Sequence, residues 1–142
     1  EVKDSEKQNA GSIQLTFFDI FSDKTKQFGF KAVFPSGKVL ACLGDEPFNE
    51  KCRNFVQNCD YLMCEAFCLY SQKDIFKPYE KFHSTALDAG KLAESLFAKN
   101  LILYHAEDET LQTRKRTYTS EARTVFNGNI FVPDDFEVID LK

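Results

Sequence analysis

Two short apolar runs, each preceded by a segment with helical spacing, constrain the fold more than any other feature of the sequence. The runs are 61–64 (YLMC) and 101–104 (LILY), and each has the length of a buried strand. Apolar residues recur at helical spacing over 48–58 and again over 85–96, where Thr85 and Asp88 have the spacing of a capping box. Because strands that alternate with helices build sheets with parallel strands, the sequence predicts an α/β fold.

The remaining segments extend this order. Alternating side chains predict strands at 13–20 and 28–34, and a Pro-Ser-Gly turn leads into 38–43 as the second arm of a hairpin. We also predict a short helix at 120–126 that Gly128 closes. Loops are expected at 69–82 and 106–117, and two closing strands at 129–132 and 136–140. Residues 1–11 are polar, and we expect them to be flexible.

Composition narrows the classes of function. The 142 residues suffice for one domain, and the net charge of −4 excludes a strongly basic surface over the whole protein. A local basic patch could still form at Lys24 and Lys26 or at 114–116, although charges of this kind are more often solvated loop residues. No apolar run approaches membrane-spanning length, so no membrane partner is expected. The five cysteines lack C-x-x-C spacing, which favours reduced thiols in a cytoplasmic protein.

Asp45 and His105 are the first candidates for chemistry, because each follows a predicted buried strand. A carboxylate or an imidazole at a strand end is a good ligand for a divalent cation. The structural alternative for Asp45 is a turn residue or a helix cap ahead of Pro47. For His105 it is a half-buried histidine bonded to the backbone.

His83 and Glu65 are the other two candidates. His83 stands before Ser84-Thr85 at the start of a predicted helix, where it could contact an anion or protonate a leaving oxygen. Glu65 directly follows the predicted strand at 61–64, and it could orient a ligand histidine without itself binding the metal. The structural alternatives are a surface histidine near an ordinary helix start and a carboxylate in a hydrogen-bond network.

Taken in order, these segments resemble the C-terminal half of ribonuclease Z-like proteins in the metallo-β-lactamase superfamily. The segments that carry the resemblance are LGD (43–45), YLMCEAF (61–67), FHSTALDAGKLA (82–93), LILYH (101–105) and SEARTVFNG (120–128). It spans roughly residues 13–141 and implies half of an αββα sandwich, with a mixed sheet and flanking helices.

The resemblance also implies roles. Asp45 resembles the aspartate that bridges two metal ions, and His105 resembles the last ligand of one of them. His83 resembles the histidine that binds or protonates the phosphate, and Glu65 the glutamate that supports the site. The implied cofactor is a divalent metal, zinc in the complete domain, with two ions. The implied substrate is RNA or a small phosphodiester.

The sequence departs from the family pattern in ways that matter. The His-x-His-x-Asp-His signature is absent, Phe82 replaces a glycine, and Phe21 and Asp23 stand near an expected ligand histidine. With two histidines in total, we expect residues 1–142 to be one C-terminal portion of a domain whose N-terminal half is absent from this chain. The expected partners are that half or a second copy, and the isolated chain should be inactive. The alternative is a degenerate, non-catalytic half-domain that serves as an association module.

Overall fold

The computed structural model describes residues 3–141. Seven strands in this range form one mixed sheet in chain order. The first four are antiparallel neighbours and the last four are parallel. Their bounds are β1 (Lys7–Ala10), β2 (Ile13–Asp19), β3 (Phe28–Val33), β4 (Val39–Cys42), β5 (Tyr61–Glu65), β6 (Asn100–Tyr104) and β7 (Asn129–Phe131). The predicted α/β architecture with a mixed sheet is confirmed.

Four α-helices connect the parallel strands. They are α1 (Arg53–Val56), α2 (Lys73–Phe76), α3 (Ala86–Ser95) and α4 (Arg114–Arg123), and short 3₁₀ turns lie at Glu50–Cys52, Tyr70–Gln72 and Tyr79–Lys81. In the described part of the chain, none of these helices has the length and apolar character needed to cross a membrane.

The two faces of the sheet are packed differently. Helices α1, α3 and α4 contribute to the larger apolar cluster, which includes Leu62, Leu101 and Tyr118. The smaller cluster on the opposite face consists of strand residues and the last part of the described chain, with Tyr61 and Met63 near its centre. One face is therefore covered by helices, as an α/β layer requires. The apolar cluster on the other face contains no residue from these helices.

Several predicted elements are confirmed. The 35–37 turn joins β3 to β4, and the Phe34 amide donates to the Lys38 carbonyl at 3.0 Å. The Thr85 side chain caps α3, and the reciprocal hydrogen bond of Asp88 completes the capping box. The two apolar runs form the parallel neighbours β5 and β6.

Three predictions at the start and middle of the chain are wrong. Of the polar residues 1–11, those at 7–10 form β1, because β2 offers them a strand edge to pair with; Glu1 and Val2 lie outside the described residues. The 48–58 helix shrinks to a 3₁₀ turn followed by α1, because Gln57 is extended and Asn58 has a positive φ of 59°. Loop 69–82 holds α2 and two 3₁₀ turns.

Two predictions near the C-terminal end also fail. Helix α4 begins at Arg114, inside the predicted 106–117 loop, and ends at Arg123 instead of covering 120–126. Its buried positions are Tyr118 and Ala122, which give too faint an apolar stripe to locate its start from the sequence. The predicted 136–140 strand does not form, since Phe136 has a positive φ of 65° and the Glu137 amide turns back to the Asp134 carbonyl.

Candidate metal centre

The parallel strands bring the candidate residues to one edge of the sheet. Strands β4, β5 and β6 are parallel neighbours, so their carboxyl ends meet at the same edge. Glu65 is the last residue of β5, His105 follows β6, and Asp45 comes three residues after β4. The segment ahead of α3 carries His83 to this edge, and the Phe67 amide anchors that segment through the Ser84 carbonyl at 2.9 Å.

Glu65 and His83 form a close pair. The Glu65 side chain is fully buried, and its Oε2 lies 2.6 Å from Nδ1 of His83. Its other oxygen, Oε1, accepts a hydrogen bond from the Ser84 amide at 2.7 Å. Both carboxylate oxygens are therefore occupied, and the imidazole of His83 is held in one orientation.

His105 completes a compact group of possible ligand atoms. One ligand atom each from Glu65, His83 and His105 lies within 4.8 Å of the others. The two imidazole rings are 5.0 Å apart between centroids, and His105 is exposed while His83 is half-buried. The backbone of His105 has a positive φ of 54°, which is uncommon outside glycine and often marks functional sites.

Asp45 lies beside this group without being a member of it. It follows Gly44, whose φ of 78° makes the turn after β4. The hydroxyl of Tyr104 donates to the Gly44 carbonyl and so ties this turn to the end of β6. The charge of Asp45 acts on the pKa of both Glu65 and His83, and its backbone forms a hydrogen bond with His83, so Asp45 lies close to the pair.

Burial changes the acidity of the pair in opposite senses. Desolvation raises the pKa of Glu65 to about 7, against the opposing effect of hydrogen bonds from Ser84. Desolvation also lowers the pKa of His83, and the Lys24 ammonium lowers it further, while Asp45 acts to raise it. Both shifts favour neutral side chains, as expected for groups withdrawn from water. A neutral imidazole is the form that binds a metal or accepts a proton.

Some residues around the centre were not singled out for it from the sequence. Phe67 stacks on His83, with ring centroids 4.9 Å apart and planes 20° apart. Tyr104 holds the Asp45 turn, and Lys24 approaches from the β2–β3 loop to pair with Glu46 at 3.8 Å. Phe67 could have been predicted near the centre because it lies within two residues of Glu65. No sequence pattern around Lys24 predicts that it lies close to the centre.

The donor set fits a divalent cation. Imidazole nitrogens and carboxylate oxygens are the ligands that zinc and related ions take in proteins. Here they converge within 4.8 Å, and exposed His105 leaves the group open to solvent. With both Glu65 oxygens already engaged, and with His83 bound to Glu65 and to the backbone of Asp45, His105 and the Asp45 carboxylate are the groups that remain for an ion.

Comparisons with known proteins show which proteins the chain resembles. No protein-family profile matches the chain. The ribonuclease Z of Bacillus cereus (strain AH187) is 32% identical over 98 residues, which is 69% of this chain and 31% of that protein. The ribonuclease Z of Bacillus thuringiensis (strain Al Hakam) matches to the same extent. The chain thus spans about a third of the length of the curated relatives it matches.

Solved structures share the fold. The metallo-β-lactamase fold protein YhfI from Bacillus subtilis superposes with a TM-score of 0.73 at 20% identity, covering 91% of this chain and 50% of YhfI. The short form of human tRNase Z gives 0.70 at 23% identity, covering 95% of this chain and 46% of its own. Zinc-bound PqqB from Methylobacterium extorquens superposes with a TM-score of 0.71 at 12% identity. The match covers 99% of this chain and 55% of PqqB. The chain is therefore similar to ribonuclease Z and carries part of a ribonuclease Z-like domain with the metallo-β-lactamase fold.

Proposed function

We propose that this chain forms one wall of the active centre of a metal-dependent phosphodiesterase of the ribonuclease Z kind. The observation that carries the proposal is the convergence of Asp45, Glu65, His83 and His105 at the carboxyl edge of parallel strands. The sequence similarity to proteins named ribonuclease Z supports a phosphodiester, in RNA or in a smaller molecule, as the substrate.

In this proposal Asp45 and His105 hold the metal. A divalent ion, which we propose is zinc, would supply a hydroxide nucleophile at neutral pH and charge for the phosphate oxygens. Asp45 offers its carboxylate from the turn that Tyr104 secures, and His105 offers an exposed imidazole at the end of β6. The proximity of His105 to His83 and Glu65 supports a metal at this edge of the sheet.

His83 is proposed to protonate the leaving oxygen, with Glu65 as its positioning residue. The hydrogen bond to Glu65 fixes Nδ1, and stacking on Phe67 fixes the plane of the ring. A hydrogen bond with the backbone of Asp45 adds to this positioning. Because burial favours the neutral imidazole, this role requires that an anionic phosphate bound beside His83 stabilise the charged form before the proton passes to the leaving oxygen.

The complete centre requires more ligands than this chain offers. Two metal ions need a larger set than Asp45 and two histidines. We therefore propose that residues 1–142 are the C-terminal portion of the domain, and that an N-terminal half supplies the missing histidines and covers the Tyr61 and Met63 face of the sheet. The chain alone should be inactive. A second copy of this chain is the other partner that could cover that face.

The competing proposal is a non-catalytic association module. It is favoured by Phe21 and Asp23, which stand where a further ligand histidine is expected. Under either proposal, the five free thiols support a reducing, cytoplasmic compartment.

A hydrolysis assay tests the enzyme proposal. The full-length protein that contains this chain is supplied with zinc and a chromogenic phosphodiester, and Asp45→Asn and His105→Ala are compared with the control Asp108→Asn, whose side chain is 95% exposed. We expect hydrolysis that each ligand variant lowers at least a hundredfold and the control leaves unchanged. Failure of the full-length protein to hydrolyse phosphodiesters, or full activity in both ligand variants, would contradict the proposal.

A further inference from the structure

Tyr104 connects the two segments that carry the proposed metal ligands. It is the last residue of β6 and directly precedes His105, the first of these ligands. Its phenol hydroxyl donates to the carbonyl of Gly44, the residue directly before Asp45, which is the second. In the sheet, β5 lies between β4 and β6. The side chain of Tyr104 therefore crosses the end of β5 to reach the turn after β4.

This connection needs a long and rigid side chain. Neighbouring strands lie about 4.8 Å apart, so β4 and β6 are separated by roughly 10 Å. A serine or threonine hydroxyl at the position of Tyr104 would be too short to reach the turn. A tyrosine side chain has a rigid ring and only two χ angles, so it also sets the length of the connection.

The backbone of Tyr104 fixes a third candidate residue. In the parallel register of β5 and β6, Tyr104 is the partner of Glu65, and its carbonyl accepts a hydrogen bond from the Ala66 amide at 2.9 Å. Tyr104 is therefore joined to Glu65 by strand pairing, to His105 by a peptide bond and to the turn before Asp45 by its hydroxyl. Because the sheet fixes its position, the hydroxyl can hold that turn in one place.

The turn after β4 lies beyond the paired part of that strand. The last partners in the register of β4 and β5 are Cys42 and Met63, and the Leu43 amide donates to the Met63 carbonyl at 3.1 Å. Gly44 then turns away with a positive φ of 78°. Because backbone outside a ladder opens more easily than backbone within it, the hydroxyl of Tyr104 restrains the chain at the point where strand pairing ends.

The other hydrogen bonds of this turn come from loop residues. The backbone of Asp45 bonds with His83, and the carboxylate of Glu46 accepts from the Ser22 hydroxyl at 2.7 Å. These partners move with their loops, whereas Tyr104 belongs to the central part of the sheet. Among these contacts, the one from Tyr104 refers the position of Asp45 to the strand that carries the other ligand.

The thiol of Cys42 supports the hydrogen bond without competing for its proton. Its Sγ lies 3.6 Å from the hydroxyl oxygen of Tyr104. Because the hydroxyl proton is directed at the Gly44 carbonyl, the thiol is left to donate to the phenol oxygen. The hydroxyl therefore has a partner for its proton and a donor for its oxygen.

We propose that Tyr104 is a positioning residue that holds Asp45 at the separation from His105 that a shared metal ion requires, an inference that rests on the proposed function. Zinc lies only about 2.0–2.2 Å from nitrogen and oxygen ligands, so the two side chains must be held close together. Groups that orient ligands typically contribute about 10–100-fold to metal affinity. Tyr104 acts through the turn and does not bind the ion, since its hydroxyl is bonded to Gly44.

Zinc affinity tests the inference. The protein, expressed with the proposed N-terminal half, is titrated with zinc against a chromogenic chelator. We expect Tyr104→Phe, which keeps the ring and removes the hydroxyl, to bind zinc about 10–100-fold more weakly than wild type.

Tyr118→Phe is the matched control. Tyr118 is fully buried, and its hydroxyl donates to the Phe67 carbonyl at 3.2 Å. That carbonyl also accepts from the Glu107 amide at 2.8 Å, so it keeps a partner in the variant. We expect this variant to lose stability in urea unfolding and to bind zinc like wild type.

Two further variants show how the effect arises. Cys42→Ala removes the other contact of the hydroxyl, a weak one, and should keep zinc affinity within about threefold of wild type. Tyr104→Phe is also combined with Asp45→Asn, which removes the carboxylate that Tyr104 is proposed to position. In that background, loss of the hydroxyl should change zinc affinity by less than about threefold, because the two residues act as one unit.

Cobalt gives a spectroscopic signature that a purely structural role would not change. The visible absorption of a cobalt-loaded protein depends on the number and geometry of its ligands. We expect weaker visible absorption in Tyr104→Phe and the wild-type spectrum in Tyr118→Phe. A substitution that only destabilises the fold shifts the urea midpoint and leaves the spectrum of the folded protein unchanged.

Four results would overturn the inference. They are wild-type zinc affinity and cobalt spectrum in Tyr104→Phe, an equal loss in Tyr118→Phe, an equal loss in Cys42→Ala, and an undiminished loss when Asp45 is already asparagine. The proposed function fails separately, if zinc binding depends on Tyr104 while the protein does not hydrolyse phosphodiesters. Circular dichroism of each variant confirms that a lost signal is not lost folding.

Discussion

At the scale of single residues, Asp60 secures the edge of the sheet opposite the candidate centre. Its carboxylate accepts hydrogen bonds from the Val39 amide and from Lys99, each at 2.8 Å. Its carbonyl accepts from the backbone and the side chain of Asn100. The hydrogen bond from Lys99 is the largest cause that lowers the pKa of Asp60. One residue therefore links the starts of β4, β5 and β6.

Replacing Asp60 with asparagine should destabilise the protein in a pH-dependent way. The lowered pKa means that the folded state favours the carboxylate, so this stabilisation is present above the unfolded pKa near 3.8 and is lost as pH falls through the folded value. Because Lys99 is largely exposed, we expect a loss of about 1 kcal/mol at pH 7. Urea unfolding at pH 7 and pH 3 measures it.

The control for this prediction is Asp74→Asn, since Asp74 pairs with Lys73 at an open surface. Solvent screens that pair, and we expect no measurable change in stability. An Asp60→Asn deficit that is the same at both pH values would show that the carboxylate charge has no part in it.

Gly29 gives a second prediction at this scale. A Cβ placed on it would lie 2.5 Å from the Cys42 carbonyl oxygen and 2.5 Å from the Phe18 ring. The carbonyl belongs to the neighbouring strand and cannot move aside cheaply, so Gly29→Ala should cost about 1–3 kcal/mol of unfolding free energy. Thermal and urea denaturation measure this cost. Gly37→Asn, at a position with open space and a positive φ of 83°, should be close to neutral, and equal losses in both variants would refute the steric account.

At the scale of elements, helix α3 begins at a cap that also carries the candidate centre. Thr85 is fully buried, and its Oγ1 lies 2.6 Å from Oδ2 of Asp88 and accepts from the Asp88 amide at 3.2 Å. Tyr79 donates to the same carboxylate oxygen at 2.7 Å. Because His83 stands two residues before the cap, the stability of the helix start and the placement of His83 are linked.

Thr85→Ala removes the cap and should cost about 1–2 kcal/mol of stability. Thr85→Ser keeps the hydroxyl and should recover most of the loss, as judged by urea unfolding monitored by circular dichroism. Ser120→Ala, at an exposed position in α4, is the control and should leave stability nearly unchanged. If the serine variant is as unstable as the alanine variant, the hydroxyl is not what stabilises the start of α3.

The elements that could be predicted from the sequence are those with a strong local signal. Strands β5 and β6 have dense apolar runs, and α3 has both a capping box and a stripe of alanines. The elements that were missed depend on distant partners. Strand β1 forms because β2 offers an edge, and α4 buries only Tyr118 and Ala122 on its inner side. The 136–140 segment has strand-like residues, but its backbone turns away at Phe136.

At the scale of the whole molecule, parallel strands bring separated candidate residues to one edge of the sheet. Asp45, Glu65, His83 and His105 could each be named from the sequence because each follows or precedes a recognisable element. Their grouping follows from the order β4-β5-β6 in the sheet. The Glu65–His83 hydrogen bond and the approach of Lys24 depend on side-chain packing across loops, for which the sequence has no periodic signal.

The apolar face around Tyr61 and Met63 is the surface on which we propose that the rest of the domain packs. Strand side chains from β2 to β7 form it, with Ile139 and Leu141 beside them. The proposed N-terminal half would bury this face while completing the ligand set. Structure and metal binding should therefore be gained together, as is usual where ligands come from distant parts of a chain.

Metal content tests the central claim most directly. The protein, expressed with the N-terminal half that we propose completes the domain, is purified without chelators. Bound metals are measured by inductively coupled plasma mass spectrometry, beside Asp45→Ala, His105→Ala and the control Asp108→Asn. We expect at least about one zinc ion per chain in the wild type and in the control, and a clear loss in both ligand variants. Less than about 0.2 metal ions per wild-type chain would contradict the assignment of Asp45 and His105 to a metal centre.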